Sequence, residues 1–162
     1  MIQANEAATV SEDLLISLKG LLDDDPSRTR LVACKSIRIL LEICGTQIEM
    51  DNLHKLVPDL LKRMDDSNDE IRVEVCKVFS ALFRCIPKNY NVQLYRAHLD
   101  ALYKGLLLHL DDPEPLIQQA VYDVIKDWSL LDPRMMAEEV NLVKHKHRTS
   151  KFCDQLLEAL PI

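Results

Sequence analysis

Histidine and cysteine are the residue types in this chain that could bind a metal ion or act as nucleophiles. The chain contains five of each, but no two cysteines form a Cys-x-x-Cys pair. The closest histidines are His145 and His147. Side chains two residues apart on a helix point in different directions, so these imidazole rings are poorly placed to share one ion. We therefore expect no metal site, no cofactor and no reactive thiolate.

Charge and hydropathy restrict the class of partner. The 162 residues include 20 Lys and Arg against 26 Asp and Glu, a net charge of -6. Nucleic-acid-binding domains normally carry a basic footprint, so we expect no nucleic-acid partner. No apolar run has the length of a membrane-spanning helix, and the odd number of cysteines does not suit a disulfide framework. These features predict a cytoplasmic protein without a membrane or nucleic-acid partner.

Aspartate clusters mark a repeated unit, because each is followed about six residues later by an apolar segment. Equivalent positions are 42 residues apart from Arg30 to Arg72, and a further 45 residues lead from Arg72 to Ile117. A period of about 40 to 47 residues with two helices per unit is typical of an α-solenoid. The clusters are Asp23–Asp25, Asp65–Asp66 and Asp111–Asp112.

The sequence therefore predicts an all-α fold, an α-solenoid of about four helix pairs wound into a right-handed superhelix. Thr9 and Glu12 have the spacing of a capping box, so we place the start of the first helix at Thr9. Gly45 is a natural stop for the second helix. Because no linker interrupts the pattern, we expect a single domain. The predicted pairs are residues 9–45, 51–87, 94–131 and 132–161.

The apolar positions predict the core. Cys34 and Cys76 are 42 residues apart, which is expected of small buried side chains at equivalent packing positions. Trp128 lies on the apolar stripe of the third partner helix, so we expect it in the core rather than at a stacking surface. That stripe consists of Leu116, Ile117, Ala120, Val121, Val124 and Trp128.

The face of each second helix opposite its core is the expected partner surface of a solenoid. Adding 45 residues to the second repeat places Tyr122, Ile125 and Ser129 outward. The apolar stripe instead rotates the outer ridge toward Asp123 and Lys126, with Tyr122 outward on both interpretations. A basic strip suits an acidic peptide or protein face, although solvated charges are the ordinary alternative. The candidate partner-binding residues are Lys35, Arg38, Lys77, Arg84, Tyr122 and Lys126.

A second basic cluster, Lys144–Lys151, is an alternative contact for a phosphate or an acidic partner. Its ordinary explanation is that cations in the last turn of a helix complement the helix dipole. Both clusters stay open as binding surfaces.

The repeats resemble HEAT repeats over essentially the whole chain. The matching features are the aspartate turn, the arginines Arg30 and Arg72, the small residue three positions later, and Pro58 within a first helix. The resemblance implies that Asp24, Asp66 and the two arginines form a structural ladder between neighbouring repeats. The third repeat departs from this pattern, since Ile117 occupies the position of the arginine.

Among HEAT proteins, the chain resembles the C-terminal region of the HEAT-repeat dynein axonemal assembly factors. The similarity is clearest from Asp111–Glu114 to the tail His147–Leu157. It implies a cytoplasmic factor that helps to preassemble dynein arms for motile cilia, as the C-terminal piece of a longer solenoid. The implied partners are dynein chains, other assembly factors and chaperones. No catalytic or binding residue is carried over.

We expect no enzyme activity. Metal-dependent hydroxylases of the HEAT type use His-Glu dyads, and here every histidine is followed by Lys, Leu or Arg. Base-excision HEAT proteins need a strongly basic groove, which the net charge disfavours. The remaining alternatives to an assembly factor are a phosphatase scaffold, a nuclear-transport-like adaptor and a purely structural capping segment.

Overall fold

The computed structural model describes residues 2–162, with side chains from residue 6 onward. The described residues form eight α-helices, three short 3₁₀ turns and no strand, which confirms the all-α prediction. None of these helices is both long and apolar enough to cross a membrane. The helices are α1 (Ile2–Gly20), α2 (Ser27–Cys44), α3 (Met50–Arg63), α4 (Asp69–Cys85), α5 (Arg96–His109), α6 (Pro115–Ser129), α7 (Pro133–Val143) and α8 (Lys151–Ala159).

The chain divides into two compact units, Met1–Tyr90 and Asn91–Ile162. In the first unit α1 packs on α2, α3 packs on α4, and the most extensive packing joins α2 to α4. In the second unit α5 packs on α6 and α7, while α8 packs on both α6 and α7. Packing between helices adjacent in the sequence is that of an α-solenoid of helix pairs, as predicted. The single domain and the right-handed superhelix stay predictions.

Side-chain caps explain where α4 and α7 begin. The side chain of Asn68 accepts hydrogen bonds from the N–H groups of Glu70 and Ile71, which fixes the start of α4. Asp132 does the same for α7 by accepting from the N–H of Met135 at 3.0 Å. These acceptors satisfy backbone donors that have no partner inside the helix. The start of α7 agrees with the fourth predicted pair, which begins at residue 132.

The predicted start at Thr9 is wrong, since α1 begins at Ile2. The spacing of Thr9 and Glu12 is that of a capping box, but both residues lie inside the helix. Ala7 and Ala8 are strong helix formers and continue the helix before Thr9. A capping box forms only where the preceding backbone is not already helical.

The cores of the two units contain the residues that the repeat pattern selects. Cys34 and Cys76 are both buried, as predicted. Burial is the main reason that the pKa of the Cys34 thiol rises to about 12, so it stays protonated. In the second unit Trp128 is buried, and the hydroxyl of Tyr103 donates to its carbonyl oxygen at 2.7 Å.

The predicted stripe of α6 is correct at four of its six positions and wrong at Leu116, which is 84% exposed. Leu116 lies in the first turn of a helix that begins at Pro115, and there its side chain points away from the core. Ile125 is fully buried instead, because it lies one turn beyond Val121 on the same face. Ala120 is half-buried.

Asp66 joins the two helix pairs of the first unit. Arg30, near the start of α2, donates to both carboxylate oxygens of Asp66 at 2.8 and 3.0 Å. Arg63 donates to Asp66 at 2.8 Å, and to Asp23 at 3.2 Å. The ladder implied by the resemblance is therefore present between these pairs. Asp24 contributes its carbonyl oxygen, which accepts from Arg30 at 2.9 Å, whereas the carboxylate that reaches the next pair is that of Asp23.

Beyond the first two helix pairs, the arginines and aspartates of the ladder have different partners. Arg72 donates to the carbonyl oxygen of Asp66 at 2.8 Å and pairs with Asp69 at 2.9 Å. In the second unit Asp111 receives Arg148, whose Nε lies 3.2 Å from its Oδ2. The third aspartate cluster is thus bound by a tail arginine.

Acid unfolding tests the role of Asp66. Burial raises the pKa of Asp66, but the hydrogen bonds donated by Arg30 and by the N–H of Asn68 lower it by more, so its pKa lies below 3.8. A lowered native pKa contributes stability that is complete above the unfolded pKa and is lost as the pH falls through the native value. In urea unfolding below about pH 4, the free energy of unfolding of the original chain should therefore fall as the pH is lowered. In Asp66→Asn this fall should be smaller, because the titrating carboxyl is absent.

The matched control for this experiment is Asp65→Asn, since Asp65 is an exposed neighbour in the same turn. It should keep the acid dependence of the original chain. At neutral pH Asp66→Asn should also destabilise by roughly 3 kcal/mol, because it removes the buried carboxylate that Arg30 and Arg63 share. An unchanged acid dependence in Asp66→Asn would contradict this role.

Gly45 is required by close packing at the end of α2. Its φ of -58° is ordinary for any residue, so left-handed backbone is not the reason for glycine. A Cβ at this position would overlap Sγ of Cys85. The sulfur also lies 3.5 Å from the carbonyl oxygen of Leu41, which places α4 directly against the end of α2.

We predict that Gly45→Ala destabilises the chain by about 1 to 3 kcal/mol, as expected for overpacking. Gly20→Ala is the matched control, because a Cβ there meets nothing within 4 Å, and better helix propensity should make it neutral or slightly stabilising. The double variant Gly45→Ala/Cys85→Ala should cost less than the sum of its single changes in chemical unfolding. Strict additivity would show that the two residues do not compete for space.

Candidate partner-binding surface

Four of the six predicted binding residues lie together on α2 and α4. They form, with three glutamates, a surface that we call the charge ridge. Its cations are balanced by carboxylates on the same helices, so it is not the bare basic strip that the sequence suggested. The charge ridge consists of Lys35, Arg38, Glu42, Glu70, Glu74, Lys77 and Arg84.

Arg38 and Glu74 form the inner pair of the ridge. Nε of Arg38 lies 2.7 Å from Oε1 of Glu74, whose side chain is only 4% exposed. Arg38 also donates to Glu42 at 3.2 Å. The hydrogen bonds that Arg38 donates to Glu74 and Glu42 raise the pKa of its guanidinium. A buried carboxylate needs such a partner, so Arg38 has a structural task in addition to any binding role.

Lys77 and Arg84 form the outer part of the ridge. Their side chains are 59% and 61% exposed, and they lie 3.5 Å from Glu74 and 3.6 Å from Glu42. Lys35 lies 3.4 Å from Glu70, and both of these side chains are also exposed. Exposed pairs of this kind contribute about 1 kcal/mol or less. An incoming carboxylate can therefore replace Glu42 or Glu70 at low cost, whereas Glu74 stays buried against Arg38.

The i,i+4 spacing of Arg38 and Glu42 predicts the pair that the structure contains, but Glu70 and Glu74 were missed by sequence reasoning, although their spacing carries a signal. Arg30 and Asp66 are 36 residues apart, as are Arg38 and Glu74. Lys35 and Glu70 are separated by 35 residues. A cation of the first repeat and an acid about 36 residues later thus form an ion pair between the two helix pairs.

Tyr122 and Lys126 lie on α6 in the second unit. Nζ of Lys126 lies 5.1 Å from the centre of the Tyr122 ring and 3.1 Å from Asp123. The ring of Tyr122 packs against Phe152 of α8 at 5.0 Å between centroids, and Lys151 lies over the Phe152 ring at 5.8 Å. We call the small surface formed by Tyr122, Lys126, Lys151 and Phe152 the aromatic patch.

The structure decides between the two sequence interpretations of α6. Ser129 is buried and donates its hydroxyl to the carbonyl oxygen of Lys126 at 2.7 Å. Ile125 is buried as well. The offset of 45 residues is therefore wrong at both positions, whereas Asp123 and Lys126 are exposed as the apolar stripe predicts.

The second basic cluster is tied into the second unit. Lys144 lies 3.1 Å from Asp154, and Arg148 binds Asp111 through its backbone N–H and its side chain. Sγ of Cys153 lies 3.4 Å from Nδ1 of His147. Within the described residues, no three His, Cys, Asp or Glu side chains come together where they could hold a metal ion.

A groove of about 370 Å³ lies between the first helices α1 and α3. Leu15 and Ile16 provide apolar walls. An ion pair between Lys19 and Asp59, 3.2 Å long, lies at the same groove. The groove is thus lined by both apolar and charged side chains.

Three curated proteins are similar to almost the whole chain, and each is named Dynein axonemal assembly factor 5. The Xenopus laevis protein is 40% identical over 156 residues, or 96% of this chain. The Mus musculus and Homo sapiens proteins are 34% and 33% identical over 158 residues, or 98% of this chain. The chain is a relative of the dynein axonemal assembly factors. This finding confirms the resemblance that the sequence suggested.

The chain spans about a fifth of the length of these curated relatives: 19% of the Xenopus laevis protein and 18% of each of the other two. No protein-family model matches the chain. No solved structure matches it either.

The inner and outer cations of the ridge should respond differently to truncation. We predict that Arg38→Ala destabilises the chain by about 1 to 3 kcal/mol, because it leaves Glu74 buried without its main partner. Lys77→Ala, whose side chain contacts the same glutamate from solvent, should change stability by less than about 0.5 kcal/mol. Urea unfolding of the two variants measures the difference, and equal losses would refute the distinction.

Proposed function

We propose that the chain is a non-catalytic protein–protein interaction scaffold that assists the cytoplasmic preassembly of axonemal dynein arms for motile cilia. The observation that carries this proposal is the similarity of 33–40% identity along nearly the whole chain to proteins named as dynein axonemal assembly factors. Its expected partners are dynein chains, other assembly factors or chaperones.

The fold supports a scaffold role because stacked helix pairs of the HEAT type present long faces formed by successive helices. The charge ridge is such a face, built from two second helices. Of its outer cations, Arg84 can exchange the exposed Glu42 for a carboxylate of an acidic protein, and Lys77 can turn to such a carboxylate while the buried Glu74 stays paired with Arg38. Arg38 then holds the ridge in shape through Glu74 while the outer side chains rearrange.

The cysteines support a non-catalytic role in a reducing compartment. All five are free thiols. Burial is the main reason that the pKa of Cys85 rises to about 11, and it raises the pKa of Cys153 as well. Such thiols stay protonated at neutral pH and are weak nucleophiles. They serve as small packing residues of the core.

The proposal is tested by quantitative affinity purification from cells that build motile cilia. We predict that Lys77→Gln/Arg84→Gln recovers several-fold less dynein chain and co-purifying assembly factor than the original chain. Neutral glutamine is chosen because a glutamate at residue 77 would face Glu74 and disturb the fold. The matched control is Lys55→Gln/Lys88→Gln, which removes two exposed lysines of the same unit away from the ridge.

Each outcome of the purification has a distinct meaning. Loss only with the ridge variant supports the scaffold and its binding surface. Equal recovery by all three proteins retains the scaffold but rejects the ridge, and the aromatic patch or Lys144–Lys151 becomes the next candidate. Absence of dynein chains and assembly factors from every sample, with unfolding curves unchanged, contradicts the proposed function.

A further inference from the structure

Three exposed serine and threonine side chains lie outside helices and 3₁₀ turns in the part of the chain that the structure describes. They are Ser67, Thr149 and Ser150. A modifying enzyme can reach hydroxyls in exposed, irregular segments without unfolding a helix. The charge around each hydroxyl then determines which class of enzyme selects it.

Ser150 lies in strongly basic surroundings. The cluster Lys144–Lys151 contains four Lys and Arg residues and no Asp or Glu. Arg148 precedes Ser150 by two residues, Lys151 follows it directly, and both of these cations are exposed. Protein kinases choose substrates by the pattern of charge around the acceptor hydroxyl. The basic pattern here suits a kinase whose substrate groove is acidic.

The two hydroxyls of the cluster face different groups. Oγ1 of Thr149 accepts from the N–H of Lys151 at 3.3 Å, which holds it against the backbone. Oγ of Ser150 instead donates to Oδ2 of Asp154 at 2.6 Å. Nζ of Lys144 lies 3.1 Å from the other oxygen of the same carboxylate. Ser150 is therefore the hydroxyl whose modification changes the contacts of charged side chains.

We propose that Ser150 is a phosphorylation site for a protein kinase that selects basic residues next to its acceptor. In the transfer, Oγ of Ser150 attacks the γ-phosphorus of ATP, and the bond from that phosphorus to the β–γ bridging oxygen breaks. The hydroxyl proton passes to the catalytic aspartate of the kinase, so the products are phosphoserine and ADP. The inference is independent of the proposed role in dynein-arm assembly.

Phosphorylation changes the surroundings of Asp154. A phosphoserine dianion has no hydrogen to donate, so the hydrogen bond to Asp154 is lost and two anions lie side by side. In the unmodified chain, the hydrogen bonds from Ser150 and then from Lys144 are the main reasons that the pKa of Asp154 lies below its ordinary value. Loss of the first donor and the added negative charge both raise that pKa.

The phosphate also changes the charge of the basic cluster. It adds a charge of about -1.5 to -2 at neutral pH, against the four cations of Lys144–Lys151. The cluster thus loses up to half of its positive charge. An acidic partner is then attracted less strongly, so phosphorylation of Ser150 acts as a switch on this surface.

The first test is phosphorylation of the purified 162-residue chain by MgATP and a basophilic protein kinase. Tandem mass spectrometry locates the phosphate. We expect modification of Ser150, and at least tenfold less at Ser67, which lies between two acidic pairs, Asp65–Asp66 and Asp69–Glu70. The same mapping, applied to the chain isolated from cells that build motile cilia, should find phosphate on Ser150.

A matched pair of variants separates recognition by charge from an effect on the fold. Arg148→Gln should lower phosphate incorporation several-fold, because the kinase loses a cation two residues before the acceptor. Asp111→Asn disrupts the same ion pair but keeps that cation. It should leave incorporation unchanged or raise it, because Arg148 becomes free to enter the groove of the kinase.

An NMR titration of Asp154 measures the structural effect. The carboxyl of the phosphorylated chain should titrate at higher pH than that of the original chain. Ser150→Ala removes the hydrogen bond without adding a charge, so it should give a smaller rise. Thr149→Ala should leave the titration of Asp154 unchanged, since its hydroxyl bonds to the backbone.

Three results would overturn the proposal. Phosphate on Thr149 or Ser67 in place of Ser150 would reject this acceptor. Equal losses of incorporation in Arg148→Gln and Asp111→Asn would show that the ion pair, and not the cation, determines the reaction. Absence of phosphate from Ser150 in the chain isolated from cells would reject the site. None of these measurements uses dynein recovery, so the proposed function and this inference are tested separately.

Discussion

The buried carboxylate of Asp66 fastens one helix pair to the next, and much of the first unit depends on it. Its side chain is only 1% exposed, and it accepts hydrogen bonds from Arg30, Arg63 and the N–H of Asn68. Asn68 in turn caps α4. Because a buried charge without partners costs several kcal/mol, the carboxylate needs these contacts to be buried at all. One side chain therefore fixes a turn, a helix start and the register between pairs.

That register determines the chemistry of the charge ridge. Arg30 reaches an acid 36 residues later, and Arg38, two helical turns beyond Arg30, does the same with Glu74. The ridge thus continues the structural ladder toward solvent, and its pairs become weaker as they become more exposed. The proposed recognition surface is thus also a structural one, in which the inner cation holds the helices and the outer cations are exposed to solvent.

Helix pairs, caps and equivalent core positions could be predicted because each has a local cause. Asn68 and Asp132 cap the helices that follow them, and Cys34 and Cys76 share one packing position. Position along a helix was harder to predict where the repeat length changes. The 45-residue spacing from the second to the third repeat predicted that Ile125 faces outward. In the structure α6 begins at Pro115, and Ile125 lies on the face that packs into the core.

Side-chain contacts between the first and second helix pairs could not be predicted, because they depend on how the residues of one pair align with those of the next. Among the three neighbouring aspartates of the first turn, nothing in the sequence selects the carboxylate of Asp23 for Lys62 and Arg63. The burial of Glu74 could not be predicted either, because a glutamate inside an amphipathic helix is normally solvated. Its burial follows only from the approach of α2, which Gly45 permits.

Charge compensation on the ridge has a consequence for the proposed scaffold role. A partner that binds Arg84 must displace Glu42 rather than meet a bare cation, so the exchange of one exposed pair for another yields little net free energy. Such contacts select for complementary charge and orientation more than they add affinity. Most of the affinity must then come from apolar and aromatic contacts. Binding that is selective but weak fits an assembly factor, because a factor of that kind has to release what it assembles.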